Sequence, residues 1–304
     1  MARIFFAKGV SGEIVRSVQS QLGFTGGDLD GVYGGDTFKA VTKFQKNNGL
    51  AQTGALDADT WQPLMQRPIP DVEQRALQLT GTFEGHGFRL AQGNFDGAGI
   101  TWGIIGFTLQ GGELGALIQD MNQRHPELVS QAFGSKTDQL LELLNQPFKK
   151  QLIFADSISL GASKERLAEP WRSAFNTFGG IPEVQEAQLT RSNKNYFKPA
   201  LVAANKLGFT TELGIALLFD IHVQNGGISA RAKEKIDAFL ADHPVASEQD
   251  VRILVANAVA DSARPQFRQD VLDRKLTIAT GTGKVHGSMF MLSNWGLDEF
   301  PAST

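Results

Sequence analysis

The sequence contains no cysteine and no surplus of basic residues, and each absence excludes a class of protein. Its 304 residues include 29 Lys and Arg against 32 Asp and Glu, which gives a formal net charge of −3. Without cysteine there can be no disulfide, no thiolate metal ligand and no thiol nucleophile. Without a basic surplus, nucleic-acid binding has no electrostatic support. We therefore expect no nucleic-acid partner and no cysteine chemistry.

Long apolar runs and clustered histidines are missing as well. No window approaches the roughly 18 consecutive apolar residues that suggest a membrane span. The apolar run before Lys8 is too short for a secretory signal. The five histidines are scattered, without the HExxH spacing of a zinc site. We expect a monomer with no membrane span, no metal and no cofactor.

The chain is long enough for two domains, and a boundary is visible near residue 70. Pro68 and Pro70 interrupt the sequence, and a new helical pattern begins after Asp71, which can cap a helix. We therefore predict one domain over residues 1–66 and another over 71–304. Residues 1–70 hold seven basic and six acidic residues, which leaves 22 basic and 26 acidic in the larger part.

The smaller domain contains a weak internal repeat. The segment from Gly31 to Phe38 is echoed by the segment from Gly54 to Trp61. In each copy a glycine turn leads to an Asp-Thr pair and then an aromatic residue, which is typical of a helix start. Apolar residues at helical spacing predict three short helices over residues 1–66, with Phe38, Phe44 and Trp61 in the core.

The larger domain is mostly helical in pattern, with one exception. Residues 93–112 contain seven glycines separated by Ile, Thr, Trp and Phe, which predicts loops and short strands. The fold class we expect is mainly α: a three-helix N-terminal module and a larger α+β domain with a small β-region. The predicted helices of the larger domain lie around residues 72–82, 113–122, 137–145, 163–177, 196–207, 211–223, 231–240 and 248–260.

Two carboxylates frame the start of this glycine-rich segment. Glu84 follows a helix, and Asp96 lies in a glycine-flanked turn. Glycoside hydrolysis uses one carboxylic acid to protonate the leaving oxygen and a second carboxylate to activate water or stabilise the transition state. Phe83 and Phe88 would desolvate Glu84 and keep it protonated, whereas a polar turn would leave Asp96 charged. Taken alone, the spacing also fits an aspartate that only caps a turn.

The smaller domain resembles the common peptidoglycan-binding domain over nearly all of residues 7–66. That resemblance implies a three-helical, non-catalytic module that binds wall glycan or stem peptide through a shallow groove. We assign binding to the module and to no single residue in it. The matching residues are Val18-Gln19, Leu22-Gly23, Asp30 to Gly34, Thr37, Ala40-Val41, Phe44-Gln45, Gly49-Leu50, Thr53-Gly54, Asp57 and Thr60-Trp61.

The larger domain resembles phage-type lysozymes and, more closely, family 46 chitosanases, which share the lysozyme-superfamily fold. The resemblance is strongest at residues 94–114 and 196–222. It implies that Glu84 is the general acid and Asp96 the general base of an inverting enzyme, with Thr101 positioning the attacking water. It further places Glu113 in a sugar subsite, and Asp220, Arg264 and Arg274 in a buried charge network that supports the acid.

Three features depart from that family. The segment between Glu84 and Asp96 is shorter, Trp102 replaces a small residue, and the tail around Gly281-Thr-Gly-Lys284, which we interpret as a hairpin turn, has no counterpart. Trp102 and Phe107 are candidates for stacking on sugar rings. The candidate substrate-side residues are therefore Trp102, Phe107, Glu113, Asp220 and Arg264.

The two resemblances together favour a peptidoglycan hydrolase that cleaves the β-1,4 glycan backbone, laid out like a modular phage endolysin for cell-wall lysis. Chitosan is polycationic, whereas peptidoglycan carries acetylated sugars and acidic peptides, so the attached wall-binding module favours peptidoglycan as partner. A chitosanase and a non-catalytic wall-binding virion component remain the alternatives. Without an export signal, we expect synthesis in the cytoplasm and delivery to the wall by a lysis pore or a secretion apparatus.

Overall fold

The computed structural model describes residues 2–85 and 87–302, with only the backbone of Glu84, and these residues are mostly helical. The helices and strands follow in chain order: β1 Ile4–Phe6, α1 Glu13–Gln21, α2 Gly35–Asn47, β2 Leu56–Asp57, α3 Ala58–Met65, α4 Val72–Glu84, β3 Ala91–Gln92, β4 Thr101–Trp102, β5 Phe107–Thr108, α5 Glu113–Arg124, α6 Pro126–Phe133, α7 Thr137–Leu144, α8 Phe148–Ser157, β6 Ser159–Leu160, β7 Arg166–Leu167, α9 Trp171–Phe178, α10 Pro182–Ser192, α11 Lys198–Leu207, α12 Glu212–Asn225, α13 Ala230–Asp242, α14 Glu248–Ala260, α15 Arg268–Thr280, β8 Thr282–Val285 and β9 Ser288–Met291.

The chain forms two compact units. The first contains the chain up to Phe83 together with the chain from Asn195 onward, and the second runs from Glu84 to Lys194. The fold class predicted from the sequence is confirmed, because helices dominate and the glycine-rich segment contributes short strands. The predicted boundary between residues 66 and 71 lies inside the first unit. Among the described residues, no helix is long and apolar enough to cross a bilayer.

The N-terminal module has the three predicted helices α1, α2 and α3, together with an antiparallel pair, β1 and β2, that was not predicted. The Asp57 carboxylate caps α3 by accepting a hydrogen bond from the Thr60 amide at 2.9 Å. Trp61 is fully buried, as expected, but Phe38 is 38% exposed. Its ring covers Gly54, where a side chain would come within 2.2 Å of it. Phe38 is therefore a surface residue that shields a glycine turn.

The N-terminal segment is bonded to other parts of the first unit. The Ala7 amide donates to the Asn294 carbonyl at 3.1 Å, and the Asn294 side chain donates to the Lys8 carbonyl at 3.1 Å. The Gln78 amide of α4 donates to the Ser11 carbonyl at 2.7 Å. Arg3 and Arg75 both donate to the Glu212 carboxylate, which is 2% exposed. The module is thus packed against α4, α12 and the C-terminal segment.

The C-terminal half of the first unit is built around α12. Every residue from Glu212 to Ile221 is buried, as expected for a helix that is apolar on all sides. The β8–β9 hairpin turns at His286 and Gly287, whose φ angles are +48° and +84°. Such a pair of positive values is characteristic of a tight hairpin turn. The predicted turn at residues 281–284 is therefore misplaced, since Gly281 ends α15 and the next residues form β8.

The second unit contains a five-stranded antiparallel sheet in the order β5-β4-β3-β7-β6. Strands β4 and β5 come from the glycine-rich segment, and β3 immediately precedes it. The predicted helix over residues 163–177 is wrong in its first half, because Arg166–Leu167 form β7, which pairs with β3 and β6. The helix α9 begins only after Pro170.

Candidate active site

Asp96 lies in the connection between β3 and β4, in the second unit. Its side chain is exposed, and Oδ1 accepts a hydrogen bond from the Ala98 amide at 2.9 Å. Gly97 and Gly99 have φ angles of +88° and +84°, which side chains other than glycine's rarely tolerate. The two glycines therefore allow the chain to turn tightly around an exposed carboxylate.

Asn94 clamps this connection from within. It is 8% exposed, its Oδ1 accepts from the Gly99 amide at 2.9 Å, and its Nδ2 donates to Asp156 Oδ1 at 2.7 Å. The Asn94 amide donates to Ser159 Oγ at 2.9 Å. The Lys164 ammonium and the Asn94 amide hold the pKa of Asp156 below its ordinary value, so this partner stays ionised. Asn94 and Asp156 were not assigned a role from the sequence.

Thr101 follows on β4, where it is 5% exposed. In the register of the sheet it lies opposite Gln92 of β3 and Thr108 of β5. Its hydroxyl has no hydrogen-bond partner among the residues that the structure describes. Buried hydroxyl groups are normally hydrogen-bonded, so this one is available to a water or a substrate atom.

Trp102 and Phe107 do not stack on sugar rings, and that expectation is wrong. Trp102 is fully buried, stacks on Phe178 at 5.4 Å between ring centroids, and donates its Nε1 to the Phe175 carbonyl at 3.1 Å. Phe107, its partner in the β4–β5 ladder, is 2% exposed. Both belong to the core beneath the sheet. An exposed aromatic residue does lie beside the carboxylate: Phe95, which is 44% exposed and was not predicted as a site residue.

Glu113 begins α5, and its side chain is 30% exposed. One of its oxygens lies 3.3 Å from the Arg191 guanidinium of α10. Glu113 is partly exposed and forms one half of an ion pair, and its place in a sugar subsite stays a prediction. Arg191 was not recognised in the sequence.

Glu84 is the last residue of α4, and its side chain lies outside the described residues. The preceding residue, Phe83, is 4% exposed and packs edge-to-face on Phe290 of β9 at 4.9 Å. One turn earlier, the Thr80 hydroxyl donates to Asp220 Oδ1 at 2.9 Å. The end of α4 is thus held on two sides, by an aromatic contact and by a buried carboxylate.

Asp220 is fully buried and therefore cannot contact substrate as a surface residue would. Arg274 donates hydrogen bonds to both carboxylate oxygens: Nη2 lies 2.6 Å from Oδ1, and Nε lies 2.9 Å from Oδ2. Lys275 also donates to Oδ2. Burial alone would raise the pKa of Asp220, but Arg274 and Lys275 outweigh it and hold that pKa well below its ordinary value.

Arg264 does not belong to this network, and its predicted place there is wrong. It is exposed and precedes a short 3₁₀ turn, Pro265–Phe267, while Lys275 is the second cation on Asp220. Arg274 and Lys275 are adjacent in sequence and both buried in α15. The adjacent pair Arg274-Lys275 is visible in the sequence, but its burial is not, and Lys275 was not assigned a role.

Comparison with known proteins supplies two family matches. Residues 11–64 match the peptidoglycan binding domain, and residues 82–243, more than half of the chain, match the family described as Glycosyl hydrolase family 46. The second match spans Asp96, Thr101 and Asp220.

Similar solved structures include a family 46 chitosanase of Gynuella sunshinyii with chitotetraose, at 17% identity, with 74% of this chain and 99% of that chain covered and a TM-score of 0.49. Another is a variant chitosanase from Bacillus subtilis complexed with 6 GlcN, at 17% identity, with 73% and 96% covered and a TM-score of 0.45.

Proposed function

The chain belongs to glycosyl hydrolase family 46, and from this premise we propose that it hydrolyses the β-1,4-linked glycan backbone of bacterial peptidoglycan. The observation that carries the choice of substrate is the N-terminal family match, in which residues 11–64 match a peptidoglycan binding domain. A wall-binding module on the same chain raises the effective concentration of wall glycan at the hydrolase.

In the proposed reaction Asp96 is the general base. Its carboxylate is exposed, and only Oδ1 accepts a hydrogen bond from the described residues, which leaves Oδ2 free to take a proton from water. The unpartnered hydroxyl of Thr101 would hold that water. Glu84 at the end of α4 would protonate the leaving oxygen. Attack by water in a single step inverts the anomeric centre.

A chitosanase is the second candidate, favoured by the similarity of residues 94–114 to family 46 chitosanases. The two candidates differ in the charge and acetylation of the glycan. Digestion of purified sacculi and of purified chitosan, followed by mass spectrometry of the products, separates them. We expect muropeptides with new reducing ends from sacculi; release of glucosamine oligomers alone would replace peptidoglycan by chitosan as substrate.

Replacing the acid tests the chemistry on whichever glycan is cleaved. Glu84→Gln keeps the shape and removes the proton, so we expect turnover to fall about 10²- to 10⁴-fold, the usual contribution of general acid catalysis. Glu142→Gln, an exposed glutamate of α7, is the matched control. Near-normal turnover by folded Glu84→Gln would remove Glu84 from the mechanism.

The stereochemistry and the role of Thr101 have their own tests. Proton NMR of the first reducing ends should show the α-anomer, and an initial β-anomer contradicts inversion. Thr101→Val should lower turnover about 10- to 100-fold, because the water loses its positioning group, whereas Thr101→Ser should retain most of it. Equal loss in both variants would point to packing instead of the hydroxyl.

A further inference from the structure

A cavity of about 490 Å³ opens in the first unit where α12 ends and α15 begins. We propose that it binds the peptide-bearing sugar of peptidoglycan, with Phe267 against the sugar ring and Arg264 on a carboxylate of the stem peptide. This assignment rests on the proposed function, since it names the feature of the substrate that the site recognises. The lining residues that matter are Gln224, Asn225, Arg264, Phe267 and Asp270.

Arg264 supplies an unused positive charge at this cavity. Its side chain is exposed and has no ion pair or hydrogen bond with any residue that the structure describes. Nearby Arg268 and Lys235, in contrast, both pair with Asp261, at 2.7 Å and 2.9 Å. A planar guanidinium that is free on all its donors suits a carboxylate, which it can bind through two parallel hydrogen bonds.

Phe267 supplies an apolar face beside that charge. It is 52% exposed on the cavity wall and makes no ring contact with another described aromatic residue. Sugar rings present faces of C–H groups that pack well on an aromatic ring. Asn225, also exposed, has an amide without a hydrogen-bond partner among the described residues, so it can bond a hydroxyl or acetamido group.

The acidic residue that lines the cavity is already engaged. Asp270 Oδ1 lies 2.6 Å from His286 Nε2, and Oδ2 accepts a hydrogen bond from Gln224 Nε2 at 3.2 Å. Each oxygen of Asp270 thus already has a partner, which competes with the ammonium groups of a polycationic glycan. With Arg264 unpaired and Asp270 occupied, the lining favours an anionic ligand.

The floor of the cavity is bonded to the network that holds α4. Gln224 Oε1 accepts from Lys275 Nζ at 2.6 Å, and Lys275 also donates to Asp220. Asp220 in turn accepts from Thr80, one turn before the end of α4. A ligand that contacts Gln224 is therefore linked, through Lys275 and Asp220, to the helix that carries the proposed acid.

Calorimetric titration of the full chain tests the site without requiring turnover. The probes are the disaccharide tetrapeptide of peptidoglycan, the same disaccharide without peptide, and chitotetraose. Arg264→Glu should raise the Kd for the disaccharide tetrapeptide about 10- to 100-fold and leave that for the bare disaccharide within about twofold. Phe267→Ala should weaken both wall ligands about tenfold.

Arg231→Glu is the matched control, because it makes the same change of charge at an exposed residue of the same unit that lies outside the cavity. It should bind all three probes like the wild type, which would show that the effect of Arg264→Glu is not one of net charge alone. Disaccharide-tetrapeptide binding that does not depend on Arg264 overturns the proposal, as does an equal loss of both wall ligands. Binding that depends on Arg264 without cleavage of sacculi leaves the site standing and refutes the proposed function.

Discussion

Helix α12 carries two buried carboxylates, Glu212 and Asp220, which both bind cationic side chains but connect the helix to different parts of the chain. Glu212, in its first turn, receives Arg3 and Arg75. Asp220, two turns later, receives Arg274 and Lys275 together with the Thr80 hydroxyl. The first cluster fastens the N-terminal segment, and the second fastens the end of α4. The same charge arrangement thus serves assembly at one end of the helix and the candidate site at the other.

The two clusters also differ in access to water. Arg3 is 32% exposed, so part of the Glu212 cluster can relax into solvent. Arg274 is 2% exposed and Lys275 is fully buried, so neither cation of the Asp220 cluster can turn towards solvent. Removing one partner of a buried ion pair leaves an uncompensated charge, whose cost depends on how deeply it is buried. The Asp220 cluster should therefore be the more damaging one to break.

Asp220→Asn should produce the largest effect. It removes a carboxylate that two buried cations, Arg274 and Lys275, both bind, and breaking buried ion pairs in this way typically costs about 3–5 kcal/mol of unfolding free energy. Because Thr80 loses its charged acceptor, turnover of the folded fraction should also fall, by about tenfold or more if the end of α4 shifts. Urea denaturation and single-turnover kinetics on soluble glycan measure the two losses. Intact turnover would separate the cluster from the reaction.

Glu212→Gln should cost less, about 2–3 kcal/mol, because Arg3 can turn towards water while Arg75 stays buried. The reaction should be unaffected at temperatures where the variant is folded. Thermal unfolding and kcat on soluble glycan give both values. A fall in kcat matching that of Asp220→Asn would mean that the clusters are not functionally distinct.

Acid should narrow the stability difference between the wild type and Asp220→Asn. The pKa of Asp220 in the folded protein lies below its ordinary value of 3.8, so its contribution is present above that value and is lost as the pH falls towards the folded pKa. Each pH unit in that interval removes up to about 1.4 kcal/mol. Urea midpoints of both proteins between roughly pH 6 and pH 2.5, which reaches into the upper part of that interval, should approach each other below about pH 4. If the difference between the two urea midpoints stays constant over this pH range, the lowered pKa of Asp220 in the folded protein is contradicted.

Arg3→Ala should have the smallest effect, about 1 kcal/mol, since Glu212 keeps Arg75 and the lost side chain is partly exposed. Lys39→Ala, in an exposed ion pair with Asp36 on α2, should change stability by less than about 0.5 kcal/mol and is the control. Differential scanning calorimetry distinguishes the two. Indistinguishable melting temperatures would mean that Arg3 does not anchor the N-terminal segment.

The sequence predicts well those parts of the fold that depend on local pattern. Helices with a regular apolar repeat, such as α2 and α5, lie where expected, and so do the strands of the glycine-rich segment. Helices α6 and α10 were missed although each begins with a proline, Pro126 and Pro182, which favours a helix start. The short strands β6 and β7 form by pairing with residues distant in sequence, which a local pattern does not contain.

The candidate site shows the same division. The turn around Asp96 follows from its glycines, but the burial of Trp102 depends on Phe178 and Phe175, which approach it only in the folded unit. Glycine-rich surroundings suggested an exposed ring, whereas the paired strands place it in the core. Lys275, and not Arg264, reaches Asp220 because it is a buried residue of α15, whereas Arg264 precedes that helix and is exposed.

The hydrogen bonds of Asn94 order the turn around Asp96 when the protein folds, so the entropic cost of ordering it belongs to folding and not to catalysis. Fixing the backbone of one residue costs roughly 1–2 kcal/mol in conformational entropy. Asn94 bonds Gly99 across the turn and Asp156 on its other side, so the residues around Asp96 are ordered before any ligand arrives. The Gly99 amide should accordingly exchange its hydrogen slowly with solvent. A glycan therefore binds to a turn in which the backbone around Asp96 is already ordered, and binding does not have to include the cost of ordering it.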